Sequence, residues 1–238
     1  MRRLGIIQPG KIGDIIICLP IAKWYADRGY EVIWPVDKNI LVNFLGYIDY
    51  VKFVPIDFNC VLAHQVCFTY NCNTVLDLAF SIPGANQHNT DSYLKQNDFS
   101  FDEYKYYLAN VPFEEKWNLS FERNLANEDK VLESLGTDNF VLVQENSSDY
   151  KRPLHFQDND VKRVDINYNF NSVLDWVGAL EKAEQLILIE SCFSNLVDQL
   201  KIQSNQNILL LKHGYYGDST KDGRLKGLPI LKCDWKKL

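Results

Sequence analysis

Asp14 stands directly after Gly13, in the stretch Gln8-Pro9-Gly10-Lys11-Ile12-Gly13-Asp14. A carboxylate where a glycine-bearing loop enters a helix has two uses. It can cap the helix by accepting backbone N–H bonds, or it can take a proton from an acceptor hydroxyl at the mouth of a cleft. Position alone leaves both open. A second set of polar groups begins at Gln144, where an apolar run empties into Glu145-Asn146-Ser147-Ser148-Asp149-Tyr150-Lys151-Arg152-Pro153. Lys or Arg in such a loop can neutralise a diphosphate, and a solvated turn is the plain alternative. A third set, Glu190-Ser191-Cys192, follows another apolar run. Backbone N–H groups at a helix start there suit an anion.

Elements must position these groups. Leu4 to Ile7 reads as a buried parallel strand, residues 21–28 as a helix, and Gly29 as its stop. Gly10 and Gly13 give G-x-x-G without a third glycine, and no Gly-Lys-Ser/Thr follows, so neither the dinucleotide fingerprint nor the P-loop is present. Further strands are predicted over 31–36, 50–55 and 74–80, with a short helix over 39–46. Helices over 101–110 and 127–135 precede Gly136 and a second start, the strand 140–144. A brief strand at 164–166, a helix over 172–182 and strands over 185–190 and 208–211 complete the pattern. This alternation predicts parallel α/β architecture.

Composition narrows the class. The 238 residues carry a net charge of −6 and a pI near 5.3, which argues against a general nucleic-acid binder. The segment after Lys201 is nonetheless rich in Lys and Arg, opposed only by Asp218, Asp222 and Asp234. No apolar run is long enough for a transmembrane segment, and the Met-Arg-Arg start lacks a cleavable apolar stretch. The six cysteines are scattered, which predicts reduced thiols and a cytoplasmic location. Cys60, His64, Cys67 and Cys72 lie close together but contain no C-x-x-C, so core cysteines are favoured over zinc. Asp158-Asn159-Asp160 has a D-x-D form in a polar loop and reads as a turn. Ser81 to Ser100 reads as a long loop, and Tyr104, Tyr106 and Tyr107 as packed aromatics in preference to an acceptor platform. After His213 a glycine-bearing turn offers Tyr215 or Tyr216 to a base, with a plain turn equally open.

Gly13-Asp14-Ile15-Ile16-Ile17-Cys18-Leu19-Pro20 has the form G-D-x-x-x-x-L-P. It resembles the glycosyltransferase family that includes the lipopolysaccharide heptosyltransferases. The resemblance implies two Rossmann-like domains facing a cleft, the GT-B arrangement. Residues 1–136 would form the acceptor side and 137–238 a truncated nucleotide-sugar side. It implies that Asp14 is the catalytic base and that Ser147, Ser148 and Lys151 fall on the loop gripping the donor pyrophosphate. Gly13, Gln144, Arg152, Glu190, Ser191 and Cys192 complete the implied donor-binding set. Where family members have Asp-Ser/Thr-Gly and then His, this chain has Glu190-Ser191-Cys192 and Asn195. No metal and no cofactor is implied, the nucleotide sugar being a donor substrate. The acceptor would be a glycan, a lipid-linked sugar or a modified nucleic acid. Two alternatives stand beside this reading: a transferase acting on modified DNA or another non-lipid acceptor through the basic C-terminal segment, and a nucleotide-sugar binder without catalysis.

Overall fold

A computed structural model describes residues 1–79, 99–148, 150–154, 161–167, 172–212 and 229–238. The expected loop over 81–100 thus lies almost wholly outside the described residues. So do the D-x-D turn, Asp149 and the segment with Tyr215 and Tyr216. The chain divides into two compact units, Met1–Ser120 with Gly214–Ile230, and Phe121–His213 with Leu231–Leu238.

The first unit is built on a four-stranded parallel sheet. Its strands are β1 (Arg2–Ile7), β2 (Tyr30–Asp37), β3 (Val51–Ile56) and β4 (Thr74–Asp77), in the order β3-β2-β1-β4. Connections from β1 lead outward to β2 on one side, and the chain later returns to place β4 on the other. The C-terminal ends of β1 and β4 therefore border a topological switch point, where open α/β sheets bind ligands. Helix α1 (Ile12–Ala26) follows β1, and α2 (Lys38–Leu41) follows β2. Helix α3 (Cys60–Thr69) precedes β4, and α4 (Phe101–Ala109) follows the undescribed stretch.

Helix α1 starts nine residues ahead of the expected Ile21 and carries Pro20 in its interior. A proline there forfeits a backbone bond and costs about 3 kcal/mol. Burial offsets it, because every residue from Ile15 to Ala22 is buried. The donor hydroxyl of Tyr106 also reaches the Ile17 carbonyl at 2.9 Å. Tyr104 and Tyr106 are buried, and Tyr107 stacks on Phe99 with ring centres 5.0 Å apart. These tyrosines pack as expected.

Glycine at position 5 is demanded by α3. A Cβ there would lie 2.5 Å from the Cys67 Sγ and 2.9 Å from its Cβ. Cys67 belongs to a core cluster with Ile7, Ile56 and Ala63, against which Cys60 and Cys72 pack. Burial pushes its thiol up to about 12, which keeps it protonated. All six cysteines are free thiols. Gly5→Ala is expected to destabilise the fold by about 1–3 kcal/mol through overpacking. Urea denaturation measures this, and Cys67→Ala in the same chain should recover part of the loss.

The second unit has a five-stranded parallel sheet ordered β6-β5-β7-β8-β9. Its strands are β5 (Phe140–Gln144), β6 (Lys162–Asp165), β7 (Gln185–Ile189), β8 (Gln206–Leu210) and β9 (Trp235–Lys237). The last is a short edge strand beyond the final one expected. Helix α5 (Leu125–Leu135) is capped by Asn124 and closed by Gly136 at φ +64°. It packs on α6 (Val177–Lys182), so the helix that the expected boundary at Gly136 assigns to the first domain belongs by contact to the second unit. Arg123 joins them, bonding Glu128 and, at 2.8 Å, Glu181. Helix α7 (Cys192–Leu200) follows β7. The switch point of this sheet lies between β5 and β7, again with polar groups at its border.

Candidate functional site

In the first unit Asp14 occupies the first turn of α1, beside the switch point. It is not the N-cap. That position is held by Lys11, whose backbone has φ +61° and whose side chain makes no capping bond. Asp14 is therefore released from the helix-capping role. Its Oδ1 lies 3.7 Å from the Lys105 ammonium on α4, and a quarter of its side chain is exposed.

Lys105 is 1% exposed. Its Nζ donates to the Gln8 Oε1 at 2.8 Å and to the Leu78 carbonyl at 2.7 Å. Gln8 is fixed in turn, donating through Nε2 to the Gly10 carbonyl at 2.9 Å. Its own carbonyl accepts the Trp34 indole N–H at 3.0 Å. The ends of β1 and β4, the loop and the head of α1 thus meet at one buried cation.

Asp77 ends β4 and is held above the ordinary carboxylate range. Burial is the main cause, opposed by His64, the Ala79 N–H and Lys105. Its Oδ1 is buried without a hydrogen-bond partner, and its Oδ2 lies 3.4 Å from the His64 Nε2. An acid whose folded pKa is raised binds its proton more tightly in the fold than in the unfolded chain. Its penalty is absent below the ordinary range and sets in as pH rises through the folded value. Asp77→Asn is accordingly expected to gain stability relative to the parent between pH 4 and pH 7. Denaturant midpoints of both proteins at the two pH values check this.

In the second unit the expected donor-binding residues separate into two groups. Gln144, at the end of β5, accepts the Ser191 hydroxyl proton at 2.6 Å, which ties the two borders of the switch point together. Ser191 is the N-cap of α7, its Oγ accepting the Phe193 N–H at 3.3 Å while Ser194 Oγ takes the Ser191 N–H at 2.9 Å. The Cys192 thiol is also turned to the helix start, where the Phe193 and Cys192 N–H groups face it. Burial raises that thiol to about 12, so it meets them as a neutral group. Lys212, 8% exposed just after β8, lies within electrostatic reach of it. Glu190 bonds through its backbone N–H to Leu210 at 3.1 Å.

The loop beyond β5 forms the other group. Asn146 and Lys151 pair across a tight reversal, and the Ser147 N–H and hydroxyl both address the Tyr150 carbonyl, at 2.8 and 3.2 Å. Ser148 and Lys151 are exposed there. Arg152 points elsewhere, donating to the Leu211 and Leu238 carbonyls at 2.8 and 2.6 Å. Gly13 lies in the first unit, second residue of α1.

Two buried cations at these switch points, Lys105 and Lys212, carry no expectation from the sequence. Lys212 had a signal, a charge directly after an apolar run. Lys105 had none, because its partner Gln8 is 97 residues away.

Among the described residues no cluster of three or more His, Cys, Asp or Glu is arranged to hold a metal. No helix there is long and apolar enough to cross a membrane. No protein-family model and no curated protein sequence matches the chain. Solved structures do. A family 9 glycosyl transferase from Veillonella parvula DSM 2008 aligns with a TM-score of 0.61, covering 99% of this chain and 87% of that one at 11% identity. The iron-containing dodecameric glycosyltransferase TibC from enterotoxigenic Escherichia coli H10407 aligns at 0.50, over 88% of this chain and 59% of that one, with 12% identity. The E. coli heptosyltransferase WaaC with ADP aligns at 0.49, over 95% and 90%, with 14% identity. What the chain shares with the first of these, over nearly its whole length, is the fold of a family 9 glycosyl transferase.

Proposed function

We propose that the protein is a glycosyltransferase of the GT-B type that moves a sugar from a nucleotide-sugar donor to an acceptor hydroxyl without a metal ion. The observation that carries this reading is Asp14, a carboxylate freed from capping at a switch point and set beside a buried ammonium, in a chain with the family 9 fold. In the proposed reaction Asp14 accepts the acceptor's O–H proton as that oxygen forms its bond to the donor's anomeric carbon. The bond from that carbon to the diphosphate oxygen breaks, and the nucleoside diphosphate leaves with the electron pair. The second unit takes the donor, with Ser191 and the start of α7 facing the diphosphate and Lys151 supplying positive charge. The acceptor is a glycan, a lipid-linked sugar or a modified nucleic acid. A DNA acceptor predicts binding that weakens steeply with salt.

One observation favours a second reading, a nucleotide-sugar binder without turnover. The Ser191 and Cys192 side chains already engage the N–H groups that a diphosphate would use. A thermal-shift screen against nucleoside diphosphates and their sugars tests both readings. Ligand at a hundred times its dissociation constant adds about 2.7 kcal/mol, and a midpoint shift of roughly 5–10 °C with one nucleotide family is expected. Absence of any shift would remove both.

A further inference from the structure

We infer that Lys105 is the positioning residue for Asp14, holding the carboxylate of the proposed base in its working place. The inference rests on the transferase reading for its kinetic consequence, but the pair itself is a matter of geometry. An ammonium as buried as this one is costly unless it is fully bonded and balanced by charge. Gln8 and Leu78 satisfy two of its three N–H donors with neutral oxygens at 2.8 and 2.7 Å. The carboxylate that meets it within 4 Å is Asp14, at 3.7 Å. Asp77, one residue before Leu78, is also in electrostatic reach.

The dependence runs both ways. Asp14 projects from the first turn of a helix whose cap is another residue. Among the described residues, Lys105 is its ion-pair partner. Lys105 in turn is anchored just beyond the ends of β1 and β4, through Gln8 and Leu78. A partly exposed acid at a helix head is thereby referred to the sheet. Displacing a reacting group by about 1 Å costs on the order of 100-fold in rate, so this reference has catalytic weight.

The test is a double-mutant cycle read in two ways. Lys105→Met is made in the parent and in Asp14→Asn, and nucleoside diphosphate release is measured with the nucleotide sugar that gives a saturable thermal shift. In the parent, Lys105→Met is expected to lower kcat about 10- to 100-fold with the donor KM unchanged. In Asp14→Asn it is expected to change kcat less than 2-fold, and its stability loss is expected to be smaller there than in the parent, because the pair is already broken. Equal losses of kcat in the two backgrounds, or no loss in the parent, would overturn the inference.

The second reading uses no Lys105 variant and no substrate. In the folded parent the ammonium resonance of Lys105 is followed by nitrogen NMR. Asp14→Asn should shift it and hasten its hydrogen exchange, and an unchanged resonance overturns the pair. Absence of turnover with every nucleotide sugar would instead defeat the transferase reading and leave this arm standing.

Discussion

Asp14→Asn lowers transfer by about 100- to 10,000-fold, the usual range for loss of a general base, and leaves nucleotide binding intact. The amide keeps the size of the carboxylate but cannot accept the proton. Asp14 is not the N-cap and is partly exposed, so its effect on the fold is the loss of counter-charge for Lys105, which keeps its bonds to Gln8 and Leu78. Its expected binding partner, the acceptor, is read in the first unit, while the nucleotide is read in the second. The thermal shift with nucleoside diphosphate should therefore match that of the parent within error. Loss of both turnover and nucleotide shift would mean that the substitution damages the protein as a whole and says nothing of a base.

The largest expected effect on stability lies elsewhere in the first unit. Asp102 and Lys116 form an ion pair at 2.8 Å in which neither side chain is exposed at all. The Asp102 carboxylate also accepts the Ile230 N–H at 3.0 Å and the Ser100 hydroxyl at 2.6 Å, and Lys116 donates to the Ile230 carbonyl. Three groups from three parts of the sequence converge on this one carboxylate. Asp102→Ala takes this buried carboxylate away from the Lys116 ammonium and from the Ile230 N–H, and is expected to cost about 3–5 kcal/mol. Urea denaturation followed by the tryptophan signal measures it. Asp102→Leu with Lys116→Met should be less harmful than Asp102→Ala alone, since apolar replacement of both partners removes both buried charges together. If the single and double variants were equally damaged, the bonds to Ile230 would carry the stability and the ion pair little of it.

Much of this architecture was legible because it is local. The apolar runs at Leu4–Ile7, Phe140–Gln144 and Gln185–Ile189 each became a central strand, since a parallel sheet buries both faces and needs uninterrupted hydrophobic sequence. Gly136 ended its helix in the left-handed conformation that glycine adopts freely. Helix α3 forms where no helix is expected from the sequence, over Cys60–Thr69. Asn59, which caps it by accepting from Val61 and Leu62, was the signal available. The expected helix over 39–46 shrank to Lys38–Leu41, and the following turns run to Tyr47, with Gly46 at φ +83°.

The candidate site was legible in part. Asp14 could be picked out by its place after Gly13, but nothing local told whether it capped α1. That was decided by Lys11, a residue in a strained conformation that sequence alone does not reveal. Arg152 was grouped with Lys151 by adjacency. In the fold the two diverge, because the guanidinium is drawn to carbonyls at the end of β8 and beyond β9. Ser191 and Gln144 were separate expectations that the switch point of the second sheet brings within a hydrogen bond.

The most direct test of the central claim is nucleoside diphosphate release from a panel of nucleotide sugars, in buffer containing EDTA, with a mixture of sugar acceptors. The account predicts steady consumption of one nucleotide sugar by the parent, undiminished by the chelator, and consumption reduced at least 100-fold in Asp14→Asn. Equal rates in the two proteins, or a nucleotide sugar that binds and is never consumed, would contradict it.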